Sequence, residues 1–264
     1  MSRISAVFAA LNQKKALIPY ITAGDPDLGT TLQLMHTLVD NGADIIELGV
    51  PFSDPSADGV VIQRAATRAV ERGISLRNVL QVVSEFRQTN TTTPVMLMGY
   101  LNPIHRMGYA EFAQAAAAAG VDGVLTVDCP IEEISALNQH LKPAGIDCIF
   151  LISPVTPPER IQAIAQEASG FVYYVSLNGV TGAANLDVAA VAKQVALIKQ
   201  YVPLPVGVGF GIRDADSARA VAAVADAVIV GSRLVQAIED HPKQETTAVA
   251  AIVKELNQAV QTAV

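Results

Sequence analysis

The sequence has few of the residues from which metal centres and disulfide scaffolds are built. Its 264 residues include no tryptophan, two cysteines and four histidines. Cys129 and Cys148 belong to no CxxC motif, and the histidines lie too far apart for zinc-ligand spacing. The composition therefore predicts a chain without a metal site.

Long apolar runs are absent as well. No stretch approaches the ~18 consecutive apolar residues of a membrane-spanning helix. Residues 1–12 have an amphipathic helical pattern but lack the continuous apolar segment of a signal peptide. We therefore expect a cytoplasmic protein that does not enter a membrane.

Charge is sparse and mostly negative. Charged residues make up 16% of the chain, and 25 Asp and Glu against 18 Lys and Arg give a net charge of −7. A protein that binds nucleic acid or an anionic membrane should show a basic surface, so neither partner is expected. An acidic protein can still hold a small anion through backbone N–H groups, so a phosphate-bearing ligand stays compatible with this composition.

Apolar residues, in contrast, are abundant and regularly arranged. They make up 51% of the chain, and eight short apolar runs alternate with segments of helical periodicity, a pattern typical of βα units around a parallel sheet. The predicted strands are Ala16–Thr22, Asp44–Val50, Pro94–Gly99, Gly123–Val127, Asp147–Ile152, Phe171–Ser176, Pro205–Gly209 and Ala227–Val230.

Eight such units fit a barrel of ~250 residues. The lack of a GxGxxG motif after the first strand weighs against an open dinucleotide-binding sheet. The sequence therefore predicts an α/β fold, a single (β/α)8 TIM-barrel domain over residues 1–264. It would carry an extra N-terminal helix and an enlarged second unit with helices at Val60–Arg72 and Leu76–Gln88.

Two carboxylates lie in the second unit, near the carboxyl end of its strand, where barrel enzymes place their active sites. Glu47 lies inside the apolar run IIELGV. Burying it is costly unless it is paired or protonated, and a glutamate with a raised pKa suits acid–base catalysis. Asp58 follows in SDPSADG. A structural ion pair for Glu47 and a helix N-cap for Asp58 are the alternatives to shared catalysis.

The last three units continue into glycine-rich segments, at 178–183, 210–212 and 231–233. Phosphate sites in these barrels use the loops after the seventh and eighth strands, where glycines let the backbone approach and a helix N-terminus attracts the anion. Ser232 could equally be a helix cap, as could Asp128 before Cys129-Pro130.

Several other chemistries lack the residues they need. None of the seven lysines lies in a predicted strand or at its carboxyl end, so a Schiff-base aldolase is not expected. There is no GxSxG motif and no carboxylate–histidine cluster, which a serine hydrolase and a metal-dependent aldolase would need. Tyr20, Tyr100 and Tyr173 could line a pocket or simply pack in the core.

One stretch resembles a known family closely. The segment ELGVPFSDPSADGVVIQ, from Glu47, resembles the signature of the tryptophan synthase alpha chain family. The resemblance extends over essentially the whole chain, through PYITAGDP from Pro19, YLNP from Tyr100, GVDGVLTVD from Gly120, GVTGA from Gly179, GFGI from Gly209 and the Gly231-Ser232 pair.

The resemblance implies a reaction and roles for the residues. The family cleaves indole-3-glycerol phosphate to indole and glyceraldehyde 3-phosphate by a retro-aldol reaction. Glu47 would move protons at indole C3 and the glycerol hydroxyl, and Asp58 would bind the indole N–H and favour the indolenine tautomer. The residues implied to contact substrate are Tyr20, Tyr100, Tyr173, Thr181 and Phe210. Those implied to bind phosphate are Gly182, Gly211, Gly231 and Ser232.

The resemblance also implies a partner. A beta chain that carries pyridoxal phosphate would receive the indole through a tunnel in an alpha2-beta2 heterotetramer, and the chain itself would hold no cofactor. Asp54, Pro55 and 100–102 match positions that face the beta chain, whereas Ser56 and Val60 replace the usual Leu and Pro. Two other functions stay open: a stand-alone indole-releasing lyase, and a non-catalytic, phosphate-binding regulator of the beta chain.

Overall fold

The computed structural model describes residues 2–12, 14–176, 187–209 and 211–263. Eight parallel strands form a closed barrel in which each strand pairs with the next in sequence and the eighth pairs with the first. The strands are β1 Ala16–Thr22, β2 Ile46–Gly49, β3 Val95–Gly99, β4 Gly123–Thr126, β5 Asp147–Ile152, β6 Val172–Val175, β7 Val206–Gly209 and β8 Ala227–Val230. The predicted (β/α)8 barrel is confirmed.

Helices surround the barrel in the expected alternation. They are α1 Arg3–Leu11, α2 Leu28–Asp40, α3 Val60–Glu71, α4 Leu76–Arg87, α5 Leu101–Met107, α6 Tyr109–Ala119, α7 Ser135–Leu141, α8 Pro158–Glu167, α9 Val188–Tyr201, α10 Ala215–Ala222, α11 Ser232–Asp240 and α12 Glu245–Gln261. The enlarged second unit contains α3 and α4, as predicted. None of the helices in the described ranges is long and apolar enough to cross a membrane.

Side chains bury both faces of the strands, which is why the strands read as continuous apolar runs. One apolar cluster fills the interior of the barrel and includes Ile18, Met96, Leu125 and Phe171. A larger cluster lies between the strands and the helices around them. A polar side chain in a strand is therefore surrounded by apolar groups unless it lies at a strand end.

The helix α1 covers the amino-terminal end of the barrel. Ile4 is fully buried in the interior cluster. Arg3 Nη1 lies 2.7 Å from Asp122 Oδ1, and Arg87 Nη2 lies 2.7 Å from the other oxygen of the same buried carboxylate. With this end covered, the opposite, carboxyl end of the strands is where a ligand can enter.

The predicted bounds of five strands differ from the structure by one or two residues, and one predicted helix cap is wrong. The strand β2 begins at Ile46 rather than Asp44, because the Asp44 carboxylate turns back to accept the Leu17 N–H at 2.8 Å. Asp128 does not cap the helix after β4, which begins at Ser135. Its carboxylate accepts the N–H of Leu101 at 2.7 Å and so caps α5, the helix after the neighbouring strand.

Candidate active site

A cavity of about 640 Å³ opens at the carboxyl end of the barrel. Residues from all eight βα units line it. The predicted site residues that line it are Tyr20, Glu47, Asp58, Tyr173, Gly211, Gly231 and Ser232. Thr181, Gly182 and Phe210 lie outside the described residues.

Glu47 is a buried acid at the base of this cavity. It lies within β2, between Tyr20 on β1 and Met96 on β3 in register, and is 1% exposed. Its Oε1 is buried and has no hydrogen-bond partner among the described residues. Burial, with a smaller effect of the Asp58 charge, raises the pKa of Glu47 to about 8. The described residues provide no ion pair for Glu47, so the structural alternative is not supported, and the group holds its proton at neutral pH.

Asp58 lies on the loop before α3 and is held from two sides. The Tyr100 hydroxyl donates to Asp58 Oδ2 at 3.0 Å, and Gln63 Nε2 donates to the Asp58 carbonyl at 2.8 Å. Burial raises the pKa of Asp58, and the hydrogen bond from Tyr100 lowers it in part. Gly59, not Asp58, is the N-cap of α3, so the N-cap alternative is wrong. The carboxylate is therefore left to face the cavity.

The structure places Tyr100 behind Asp58 rather than on the cavity wall. Its hydroxyl also accepts the N–H of Ala57 at 2.9 Å, and its ring packs against Phe52 with 5.2 Å between centroids. Tyr100 thus fixes both the side chain and the backbone of the Asp58 loop. Sequence reasoning missed this role and that of Gln63, because neither contact follows from spacing along the chain.

Two glycines make room for the tyrosines of the wall. A Cβ at Gly49 would overlap the Tyr20 hydroxyl, and a Cβ at Gly209 would overlap that of Tyr173. Burial raises the pKa of both tyrosines, so the phenols stay neutral. Gly209 belongs to the GFGI segment, and it makes room for the Tyr173 side chain. In both cases the glycine lies two positions after the residue that pairs with the tyrosine on the neighbouring strand.

Another part of the cavity, which we call the anion end, is suited to an anion. Gly231 is the N-cap of α11 and Ser232 its first residue, with no side-chain cap bond, so the cap interpretation of Ser232 is wrong. The first N–H groups of a helix lack intrahelical partners and carry the positive end of its dipole. Gly211, with φ +79°, lines the same cavity. Arg233, the last residue of the predicted 231–233 segment, also lines the cavity, as does Arg213, which the sequence reasoning missed.

Comparison with known proteins agrees with this geometry. Residues 8–264 match the family described as tryptophan synthase alpha chain. The tryptophan synthase alpha chain of Neisseria meningitidis serogroup A is 64% identical, over 99% of this chain and 100% of that protein. That of Chromobacterium violaceum is 61% identical over the same shares. The chain belongs to the tryptophan synthase alpha chain family.

Solved structures of the tryptophan synthase alpha chain family have the same fold. The tryptophan synthase subunit alpha of Legionella pneumophila superposes with a TM-score of 0.94 at 44% identity, with 99% of each chain covered. A tryptophan synthase complex from Pyrococcus furiosus gives 0.83 at 38% identity, covering 92% of this chain and 98% of that one. The family consists of lyases that cleave indole-3-glycerol phosphate and work with a beta chain.

Proposed function

We propose that this chain cleaves indole-3-glycerol phosphate to indole and glyceraldehyde 3-phosphate. One observation carries the proposal: a buried carboxyl group with its pKa raised to about 8, Glu47, shares a cavity with Asp58 and the N-terminus of α11. A substrate that carries a phosphate at one end and a ring carbon to be protonated at the other needs an anion site and a proton donor in the same cavity. The cavity thus matches both ends of one ligand.

The first step is a proton transfer to the indole ring. Glu47, protonated at neutral pH, donates its proton to C3. The ring becomes an indolenine whose nitrogen carries positive charge, and the Asp58 carboxylate stabilises it by accepting the N–H hydrogen bond. Tyr100 donates to one oxygen of Asp58, and within the described residues the other oxygen is left to bind the substrate.

The second step breaks the carbon–carbon bond. The Glu47 carboxylate, now ionised in an apolar site, takes the proton of the hydroxyl group on the carbon attached to C3. The bond electrons return to the ring to give indole, and the oxygen becomes the aldehyde carbonyl of glyceraldehyde 3-phosphate. Glu47 ends protonated, as it began, so no proton is gained or lost.

The remaining residues hold the substrate. Gly211, Gly231 and Ser232 would bind the phosphate through their N–H groups, and Tyr20 and Tyr173 would flank the ring. In the family's pattern Gly182 completes the phosphate site, while Thr181 and Phe210 complete the substrate site.

We also propose the family's assembly: one domain over residues 1–264, joined with a beta chain in an alpha2-beta2 heterotetramer in the cytoplasm. Pyridoxal phosphate would belong to the beta chain. Asp54 and Asn102 are exposed, as a docking surface requires, and Val60 is 67% exposed. The presence of both carboxylates in one cavity favours a catalyst over a purely regulatory barrel, which would need the anion end alone.

The test is indole release from indole-3-glycerol phosphate by the purified chain, alone and with a beta chain. We expect weak release alone and strong stimulation by the beta chain. Strong release by the chain alone would instead identify a stand-alone lyase. Ligand binding without any release would contradict the proposal and support the regulatory alternative.

The pH dependence of kcat/KM should have two limbs. On the alkaline side it should fall as pH rises through about 8, because ionised Glu47 cannot protonate C3. On the acid side it should fall as Asp58 becomes protonated, at a pH above that of an ordinary aspartate, because burial raises its pKa. A rate profile from pH 5 to 10 checks this, and an alkaline limb unchanged in the Glu47→Gln variant would assign that limb to another group.

A further inference from the structure

A network of charged side chains joins three elements on the outer side of the cavity. Arg68 of α3 binds Asp25, after β1, through Nε–Oδ1 at 2.8 Å and Nη2–Oδ2 at 2.7 Å. Its remaining nitrogen, Nη1, lies 3.0 Å from Glu239 of α11. Arg64, one turn before Arg68, binds the same Glu239 at 3.0 and 2.6 Å through Nε and Nη2. Glu239 thus receives both arginines of α3.

This network differs from an ordinary surface ion pair. Exposed single pairs contribute little to stability, because solvent screens them and long side chains lose entropy. Here two planar guanidinium groups each bind a carboxylate through two nitrogens, which fixes orientation as well as distance. Asp25 is 3% exposed, Glu239 and Arg68 are 27% exposed, and Arg64 is 44% exposed. The geometry therefore holds α3 and α11 at a defined spacing.

The two joined helices carry opposite ends of the proposed substrate site. Asp58 precedes α3, and Gln63 on that helix holds the Asp58 carbonyl at 2.8 Å. Gly231 and Ser232, at the anion end, begin α11. Beneath the network the helices pack through Ala65 and Val235 against Tyr20. Any change in the spacing of α3 and α11 would alter the distance between Asp58 and the anion end.

We propose that Glu239 is a positioning residue that sets the length of the substrate site. This proposal rests on the proposed function and adds a determinant of substrate specificity to it. Glu239 touches neither end of the ligand. It fixes the Asp58 helix relative to the phosphate helix, so that a substrate that joins indole and phosphate meets both ends at once. The binding of a fragment that occupies only one end does not depend on that spacing.

The test compares the joined substrate with its two fragments in the Glu239→Ala variant. Since small misplacements of reacting groups cost up to about 10²-fold in rate, we expect kcat/KM for indole-3-glycerol phosphate to fall roughly ten-fold. The dissociation constants of indole and of glycerol 3-phosphate should each change less than about two-fold, because each fragment contacts one end only. The chain has no tryptophan, so the fluorescence of indole itself reports its binding.

Two further variants act as controls. Glu239→Gln keeps one oxygen acceptor and should recover part of the lost kcat/KM. Glu111→Ala removes an inter-helix pair of the same 2.6 Å length, between α4 and α6, and should leave all three ligands unaffected. Thermal unfolding of each variant shows whether the folded fraction is unchanged at the assay temperature.

Three outcomes would contradict either this proposal or the proposed function. If Glu239→Ala weakens both fragments as much as it slows the substrate, Glu239 has a structural role only and the proposal is wrong. If it behaves like Glu111→Ala, the spacing does not depend on it and the proposal is again wrong. If the wild-type chain releases no indole with or without a beta chain, the proposed function itself fails, and that result is independent of the variants.

Discussion

Replacement of Glu47 by glutamine should lower the turnover of indole-3-glycerol phosphate by about 10²–10⁴-fold, the usual contribution of a general acid–base group. The amide fills the same space in β2 but cannot donate a proton to C3 or accept one from the hydroxyl. Binding of glycerol 3-phosphate should stay close to wild type, because the anion end lies on α11 and the loop after β7. Steady-state rates and calorimetric titration measure the two effects.

Asp44→Asn is the matched control for Glu47→Gln. Asp44 is also a largely buried carboxylate, and burial raises its pKa as well. It lies two residues before the same strand, where an asparagine oxygen could still accept the Leu17 N–H. We expect this variant to retain wild-type turnover. If Glu47→Gln retained more than about a tenth of wild-type turnover, a factor well below that of a general acid–base group, Glu47 would not be the proton donor.

The same substitution should change how stability depends on pH. An unfolded glutamate loses its proton near 4.5, whereas folded Glu47 keeps it up to about 8. Between these values the folded state holds one proton more, so stability falls with rising pH by about 1.4 kcal/mol per pH unit. Glu47→Gln removes this pH-dependent contribution to the free energy of unfolding. The difference in unfolding free energy between variant and wild type should therefore grow in favour of the variant from pH 5 to 8, as urea titrations would show.

Asp58→Asn should lower kcat by about 10²–10³-fold, the usual cost of losing a preorganised electrostatic partner. Asparagine can still accept the Tyr100 hydrogen bond, so the loop should keep its conformation, but it carries no negative charge to stabilise the indolenine. Because the loss arises mainly after binding, kcat should fall far more than the affinity for indole-3-glycerol phosphate. Single-turnover rates separate the two quantities.

Tyr100→Phe provides the comparison for Asp58→Asn. It removes the hydroxyl that binds Asp58 Oδ2 and the Ala57 N–H but leaves the ring against Phe52. Since Tyr100 acts through Asp58, its loss should cost less, about ten-fold, a fraction of the cost expected for the charge itself. If Tyr100→Phe were as damaging as Asp58→Asn, Tyr100 would contact the substrate directly. If Asp58→Asn were harmless, the proposed role of Asp58 would be wrong.

The sequence was most informative about features that depend on local pattern. Strands buried on both faces read as apolar runs, so all eight were found, with ends that differ by up to two residues. Glu47 stood out because a carboxylate inside such a run is costly. The strand-end rule of barrels then placed Asp58, Gly211, Gly231 and Ser232 in one cavity.

Contacts between distant segments were not predictable in the same way. Asp128 caps a helix from the neighbouring unit, and Arg68 reaches Asp25 across 43 positions of the chain. Which polar side chain another one meets depends on strand register and helix packing, and neither is encoded in local spacing. Tyr100 shows the difference: its position beside the site could be predicted, whereas its bond to Asp58 could not.

The closed barrel has a consequence for the way ligand and fold support one another. Glu47 and Asp58 come from the second unit, and Gly211, Gly231 and Ser232 from the last two, so neither half of the described chain holds both ends of the site. The halves meet where β8 pairs with β1 and where β4 pairs with β5, and the shorter path round the barrel between the two parts of the site passes through β1. A substrate that spans the site links β2 and β8, the strands on either side of β1. It binds only the closed barrel, so by mass action it should protect the β8–β1 and β1–β2 pairs from opening.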